Sequence, residues 1–135
     1  MIRLTYISTA RRGIEPAEIE AILAASRRNN RRDGITGMLL FDGLRFLQAL
    51  EGPPGAVVEA YARIRADARH RACVQLHSDT IASRAFGAWD MAWQAIGSVI
   101  PREQLAEQVD AMVAAVEDKT VRALFTSFAR VERAA

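Results

Sequence analysis

Apolar and polar residues alternate along five short stretches of this chain, and between and after them the spacing changes to three or four residues. Ile2 to Ser8 alternates, which places Leu4, Tyr6 and Ser8 on one side of a predicted strand. Pro16 suits the first position of a helix, and Ile19, Ile22, Leu23 and Ser26 then fall on one stripe. That helix is expected to end near Asn29-Asn30, because asparagine tolerates a left-handed cap and Gly34 follows closely. A second strand is predicted over Ile35 to Phe41. Asp42-Gly43 then predicts a two-residue type I′ hairpin turn, with positive φ at both positions. The third strand, Leu44 to Leu50, follows directly and is broken by Gly52-Pro53-Pro54-Gly55. A helix with Val57, Tyr61 and Ile64 on one side ends at Asp67. Strands are predicted over about Ala72 to Ile81 and Ala88 to Ala95, the last with Trp89, Met91 and Trp93 on one face. After Pro101, Leu105, Val109, Met112, Val113 and Val116 form a helical stripe. After Asp118, Val121, Leu124, Phe125 and Phe128 form another.

This order predicts an α+β fold: a ferredoxin-like βαββαββ sheet with two helices on one face. The other face must be covered, and the C-terminal helical hairpin is the natural cover or a partner surface. Residues 1–97 are expected to form the sheet domain, with 98–135 a helical extension of the same structural unit. The 135 residues suit one domain, and half are hydrophobic, enough for a core without staples. No apolar run approaches the roughly 20 residues of a membrane span, and the N-terminus reads as a strand rather than a signal peptide. A single cysteine, Cys73, cannot form an internal disulfide. It is expected to be a buried small apolar residue in a cytoplasmic protein. The net charge of +2 is too small a footprint for direct nucleic-acid binding, and Arg27, Arg28, Arg31 and Arg32 read as the solvated end of a helix.

The residues also narrow the chemistry. Two histidines, His70 and His77, and one cysteine show no metal-ligand spacing, so no metal site is expected. The glycines match neither a dinucleotide fingerprint nor a phosphate loop. Ser26 and His70 lack a nucleophile elbow. What remains is mostly neutral and polar: Tyr6, Ser26, Asn30 and Gln48, with Asp67, Arg69 and His70 nearby. Gln48 is the most informative, because it falls between Phe46 and Leu50 on an apolar strand face. A carboxamide left there without a partner would cost about 1–3 kcal/mol. Carboxamides both donate and accept, which suits a planar heterocycle whose rim alternates carbonyl and N–H groups. Ile22, Phe46, Leu50 and Met91 would line the flat body of such a ligand. A purely structural Tyr-Gln-Asn network satisfies the same residues.

Five stretches add a resemblance. They are Leu4-Thr5-Tyr6-Ile7-Ser8, Asn29 through Leu39 with its Asp33-Gly34-Ile35-Thr36-Gly37, Phe46-Leu47-Gln48-Ala49-Leu50-Glu51-Gly52, Asp67-Ala68-Arg69-His70, and Arg84 through Met91. In order and spacing, over about Met1 to Trp93, the chain resembles the BLUF domains, small blue-light sensors that use flavin. The resemblance implies that Tyr6 is the photoactive tyrosine and Gln48 the glutamine between it and the flavin. It implies that Asn30 bonds the carbonyl edge and that Met91 and Trp89 affect signalling. Ile22, Phe46 and Leu50 match apolar flavin contacts, and Asp67, Arg69 and His70 match the end of the second helix near the ring and ribityl chain. Asn29 falls where some members carry histidine, and Ala49 is small for its place beside the glutamine but faces away from the ring. FAD is the family's usual cofactor, with FMN and riboflavin as alternatives. The expected function is a non-enzymatic photoreceptor that signals in trans to a downstream protein, as a homodimer or higher oligomer. A small flavin-dependent reductase and a cofactor-free ferredoxin-like assembly module are the competing readings.

Overall fold

The computed structural model describes residues 1–86, 92–95, 102–114 and 116–130. The expectations placed on Trp89 and Met91, and on the side chains of Trp93 and Leu105, fall outside the described residues. The elements run β1 (Ile2–Ala10), α1 (Pro16–Asp33), β2 (Thr36–Phe41), β3 (Arg45–Gly52), α2 (Pro54–Ala66), β4 (His70–Thr80), β5 (Ala92–Ala95), α3 (Arg102–Val113) and α4 (Lys119–Arg130). The sheet order is β4-β1-β3-β2-β5. β3 pairs antiparallel with both β1 and β2, and β4 antiparallel with β1. The crossover from β1 through α1 therefore leaves a slot between β1 and β2 that β3 fills, which is the ferredoxin-like arrangement. β5 adds a fifth strand, parallel to β2.

β3 is covered on both sides, and its side chains alternate between two cores. Phe46 and Leu50 join Leu4, Tyr6, Ile22, Leu23 and Val57 under α1 and α2. Leu47 and Ala49 join Met38, Leu40, Val109, Val113, Phe125 and Phe128 under α3 and α4. The hairpin thus covers the second sheet face. β2 and β3 approach closely at Gly37, where a Cβ would collide with the Ala49 carbonyl oxygen.

Polar residues tie this second face to the segment after β4. Glu51 is fully buried. Its carboxylate accepts from Arg3 Nε and Nη2, both at 3.3 Å, from Thr36 Oγ1 at 2.9 Å, and from the backbone N–H groups of Ala85 at 3.1 Å and Phe86 at 2.6 Å. Arg84 donates in turn to Thr36 Oγ1, to the Glu51 carbonyl and to the Gly34 carbonyl.

Several boundaries differ from expectation, each for a local reason. α1 continues through Asn29-Asn30 to Asp33, and Gly34 at φ 71° is its left-handed cap, with its N–H on the Asn30 carbonyl. Glycine adopts that conformation without a Cβ clash, so the asparagines stay helical. The β2–β3 turn is not type I′. Gly43 has φ 92°, whereas Asp42 is not in the positive-φ region and instead accepts the N–H groups of Leu44 and Arg45 with Oδ1.

β4 is the most irregular strand. Its register against β1 shifts twice, between Thr5 and Tyr6 and between Ile7 and Thr9. Ala72 sits at the second shift with φ 51°, a strained conformation for a residue with a Cβ. The extra residue lets Cys73 reach the core under the helices. Cys73 is half-buried rather than buried.

Candidate functional site

Tyr6 and Gln48 face each other directly across β1 and β3, flanked by Leu4 opposite Leu50 and Ser8 opposite Phe46. The two-residue period of both strands puts all six on the side that α1 and α2 cover. The Tyr6 hydroxyl donates to Gln48 Oε1, and both residues are buried. Burial pushes the Tyr6 phenol well above its ordinary value, reinforced by Cys73, Tyr61 and Asp67, so it remains a proton donor at neutral pH.

Next to this pair, Ser8 Oγ lies 2.9 Å from His70 Nδ1, and the His70 ring is 4.8 Å from that of Phe46. Phe46 also stacks on Phe41, with centroids 4.6 Å apart. His70 is nearly fully buried. Desolvation holds its imidazole below the usual value, opposed by Asp67 and reinforced by Arg69.

His70 also lines a cleft of about 140 Å³ between α1 and α2. Ile22, Ser26 and Asn30 enter from α1, and Asp67 and Arg69 from the end of α2. Asn30 is buried, and its carbonyl caps the helix by accepting from Gly34 and Ile35. Asp67 and Arg69 form a forked pair, Nη2 to Oδ2 at 2.7 Å and Nε to Oδ1 at 3.0 Å. That pair lowers the Asp67 carboxyl and raises the Arg69 guanidinium, so both stay charged.

The residues singled out from sequence thus gather in two adjoining groups. Ile22, Ser26, Asn30, Asp67, Arg69 and His70 line the cleft. Tyr6, Phe46 and Leu50 lie in the core beside it, with Gln48 hydrogen-bonded to Tyr6. Met91 and Trp89 lie outside the described residues. Sequence reasoning missed Ala25, Ala60, Arg63 and Ile64 as lining residues and left Asn29 in doubt, although it too lines the cleft. Helical spacing could have found them, because Ile22, Ala25, Ser26 and Asn29 share one face of α1, and Ala60, Arg63, Ile64 and Asp67 one side of α2.

The donor set fits a flavin: Asn30, His70 and the Asp67–Arg69 ion pair line a cleft that also offers the apolar surface of Ile22 and Ile64, and the Gln48 carboxamide lies in the adjoining core. The cleft volume does not enclose such a ring as it stands, because ligand sites generally measure about 300–1,000 Å³.

Comparison with known proteins identifies the family. The family model described as BLUF, sensors of blue-light using FAD, matches residues 1–92. The beta subunit of the photoactivated adenylate cyclase of Euglena longa is 42% identical over 85 residues, covering 63% of this chain but 10% of the subunit. The blue light- and temperature-regulated antirepressor BluF of Escherichia coli K12 is 38% identical over 84 residues, covering 62% of this chain and 21% of the antirepressor. The chain therefore spans a small part of the curated relatives it matches. Among solved structures, the dark state of the BLUF protein BlrB superposes with a TM-score of 0.74 at 32% identity, covering 95% of this chain and 94% of BlrB. Klebsiella pneumoniae BlrP1 with FMN and cyclic diGMP gives a TM-score of 0.80 at 30% identity, covering 95% of this chain and 34% of BlrP1. With the family model matching residues 1–92, more than half of its length, the chain belongs to the BLUF family of blue-light sensors that use flavin.

Proposed function

We propose that this chain is a non-enzymatic blue-light receptor in which Tyr6 and Gln48 form the switch. One observation carries the reading: a buried phenol donates directly to a buried carboxamide beside the α1–α2 cleft. When bound, the flavin supplies a light-driven one-electron oxidant and a rim of hydrogen-bonding heteroatoms. Asn30 and Gln48 would hold that rim, Ile22, Phe46 and Leu50 its flat faces, and Asp67, Arg69 and His70 the side near the ribityl chain. Ser26 lies on the same wall.

Tyr6 gives up an electron, and its hydrogen bond gives the proton an acceptor at Gln48. The Gln48 carboxamide has a donor end and an acceptor end, so a changed contact with Tyr6 lets it exchange which end it presents. A new hydrogen bond to a ring carbonyl would move the absorption to the red, with nothing consumed. FAD is the cofactor we assign; FMN offers the same ring and is present in the BlrP1 structure.

Residues 1–97 act as the flavin module and 98–135 as its extension. The extension and the exposed edges of the sheet are where a downstream protein, or a second copy of the chain, would read the switch. The Euglena cyclase subunit and BlrP1 suggest cyclic-nucleotide effectors as one class of partner. A cytoplasmic setting is consistent with the single cysteine, and among the described residues no helix is long and apolar enough to cross a membrane.

Absorption spectra of the purified, flavin-loaded chain test this. The wild type should shift red under blue light and relax in the dark. Tyr6→Phe and Gln48→Leu should bind flavin and lose the shift; a full reversible shift in either variant removes that residue from the switch.

A further inference from the structure

A second phenol lies against Tyr6. The Tyr61 ring, from α2, has its centroid 5.1 Å from that of Tyr6 and is tilted by 44° to it. Both rings are buried in the same cluster, yet their polar surroundings are opposite. Tyr6 has a proton acceptor in Gln48 Oε1. Tyr61 has no hydrogen bond to its phenol among the described residues. One turn further along α2, the Arg65 guanidinium carbon stands 5.7 Å from the Tyr61 ring centre. The i,i+4 spacing holds this pair on one helix face. A cation over an aromatic ring is favourable while the ring keeps its electrons, and the attraction is lost when one is withdrawn.

We propose that Arg65 is a guard residue: by standing over Tyr61, it confines the oxidising equivalent to Tyr6, the phenol that can pass its proton to Gln48. This rests on the photoreceptor reading and assigns it a positioning residue outside the cleft. The side path that Arg65 opposes begins after Tyr6 has given one electron to the light-excited flavin, the oxidant, and its proton to Gln48. An electron then moves from the Tyr61 ring to Tyr6, Tyr6 recovers its proton from Gln48, and the Tyr61 proton passes to water. The electron held on the flavin then returns to Tyr61 together with a proton from water, which leaves the flavin oxidised, both phenols intact and the Tyr6–Gln48 pair in its dark arrangement, so the photon has been spent without switching. Arg65 is exposed. A cation–π contact at such a site is strong enough to change the partition between the two rings about two- to fivefold.

The test uses the full flavin-loaded chain as wild type, Arg65→Gln, Tyr61→Phe and the double variant. Arg65→Gln should lower the quantum yield of the red-shifted state by about two- to fivefold. The double variant should restore it, because the competing ring is gone. Peptide mass spectrometry after prolonged illumination in air supplies a readout independent of switching: oxygen addition at Tyr61 should rise in Arg65→Gln over the wild type. A wild-type yield in Arg65→Gln overturns the inference, as does a loss of yield that Tyr61→Phe does not restore, or equal oxidation of Tyr61 in both. In those cases a wild-type protein that still shifts red leaves the photoreceptor reading standing. A wild type that never shifts red removes both.

Discussion

A buried primary amide has to find partners, and at Gln48 the local run of residues already states that requirement. Its neighbours Phe46 and Leu50 mark the strand face as apolar, and Tyr6 meets it there as a donor. The surroundings of His70 were less legible. The cues in sequence were its place after Asp67 and Arg69, whereas its contacts with Ser8 and Phe46 come from β1 and β3. Its burial has a consequence for stability. The folded chain keeps the imidazole neutral below the ordinary value of about 6.5, while the unfolded chain takes up a proton there. His70 therefore adds no pH dependence above about 6.5, and its neutral burial costs stability progressively as pH falls from there to the depressed folded value. Urea titrations from about pH 7.5 down to about 5.5 should show a steeper fall in midpoint for the wild type than for His70→Gln. Parallel profiles would mean that the ring is not held neutral.

At the scale of elements, periodicity located the strands and helices well and their ends less well. A two-residue or 3.6-residue repeat is a property of many side chains, but a terminus depends on one cap. α1 ends on Gly34 rather than on the asparagines because glycine reaches the left-handed cap without strain. The bulge at Ala72 was invisible, since nothing in the run Arg71-Ala72-Cys73-Val74 signals a left-handed residue. Glu51 is the other element-scale finding. Its position after Leu50 suggested no role, and in the fold it joins β1, β2 and the segment after β4 through one carboxylate. Glu51→Ala would leave the buried Arg3 guanidinium with only the longer contact to Asp79, at 3.9 Å, and two backbone N–H groups without their acceptor, and should cost about 3–5 kcal/mol. Glu51→Gln, which keeps part of the acceptor set, should cost less. Chemical denaturation of the two variants orders them, and an exposed-site effect below about 1 kcal/mol for Glu51→Ala would contradict the burial of the pair.

For the whole molecule, one sheet separates two cores, and the C-terminal hairpin completes the second. Phe125 of α4 is fully buried there, with its ring 6.4 Å from that of Phe86. A further tie, His77 Nε2 to Asp118 Oδ2 at 2.9 Å, joins β4 to the start of α4. Phe125→Ala should cost about 3–5 kcal/mol and open the apolar face of Met38, Leu40 and Leu47 to a hydrophobic dye. Because that face is shared, sheet and hairpin should unfold in a single transition; two transitions by far-UV and aromatic probes would make residues 98–135 a separate unit. The order of elements, the sidedness of Tyr6 and Gln48 and the need for a cover over the open sheet were all determined by sequence alone, because each follows from local spacing and the cost of exposed apolar surface. Tertiary structure alone decided that Tyr6 lies opposite Gln48 and not one pair along, that Cys73 turns inward, and that Tyr61, with Arg65 beside it, packs against the Tyr6 ring. These depend on register and packing between residues tens of positions apart, and no local pattern carries that information.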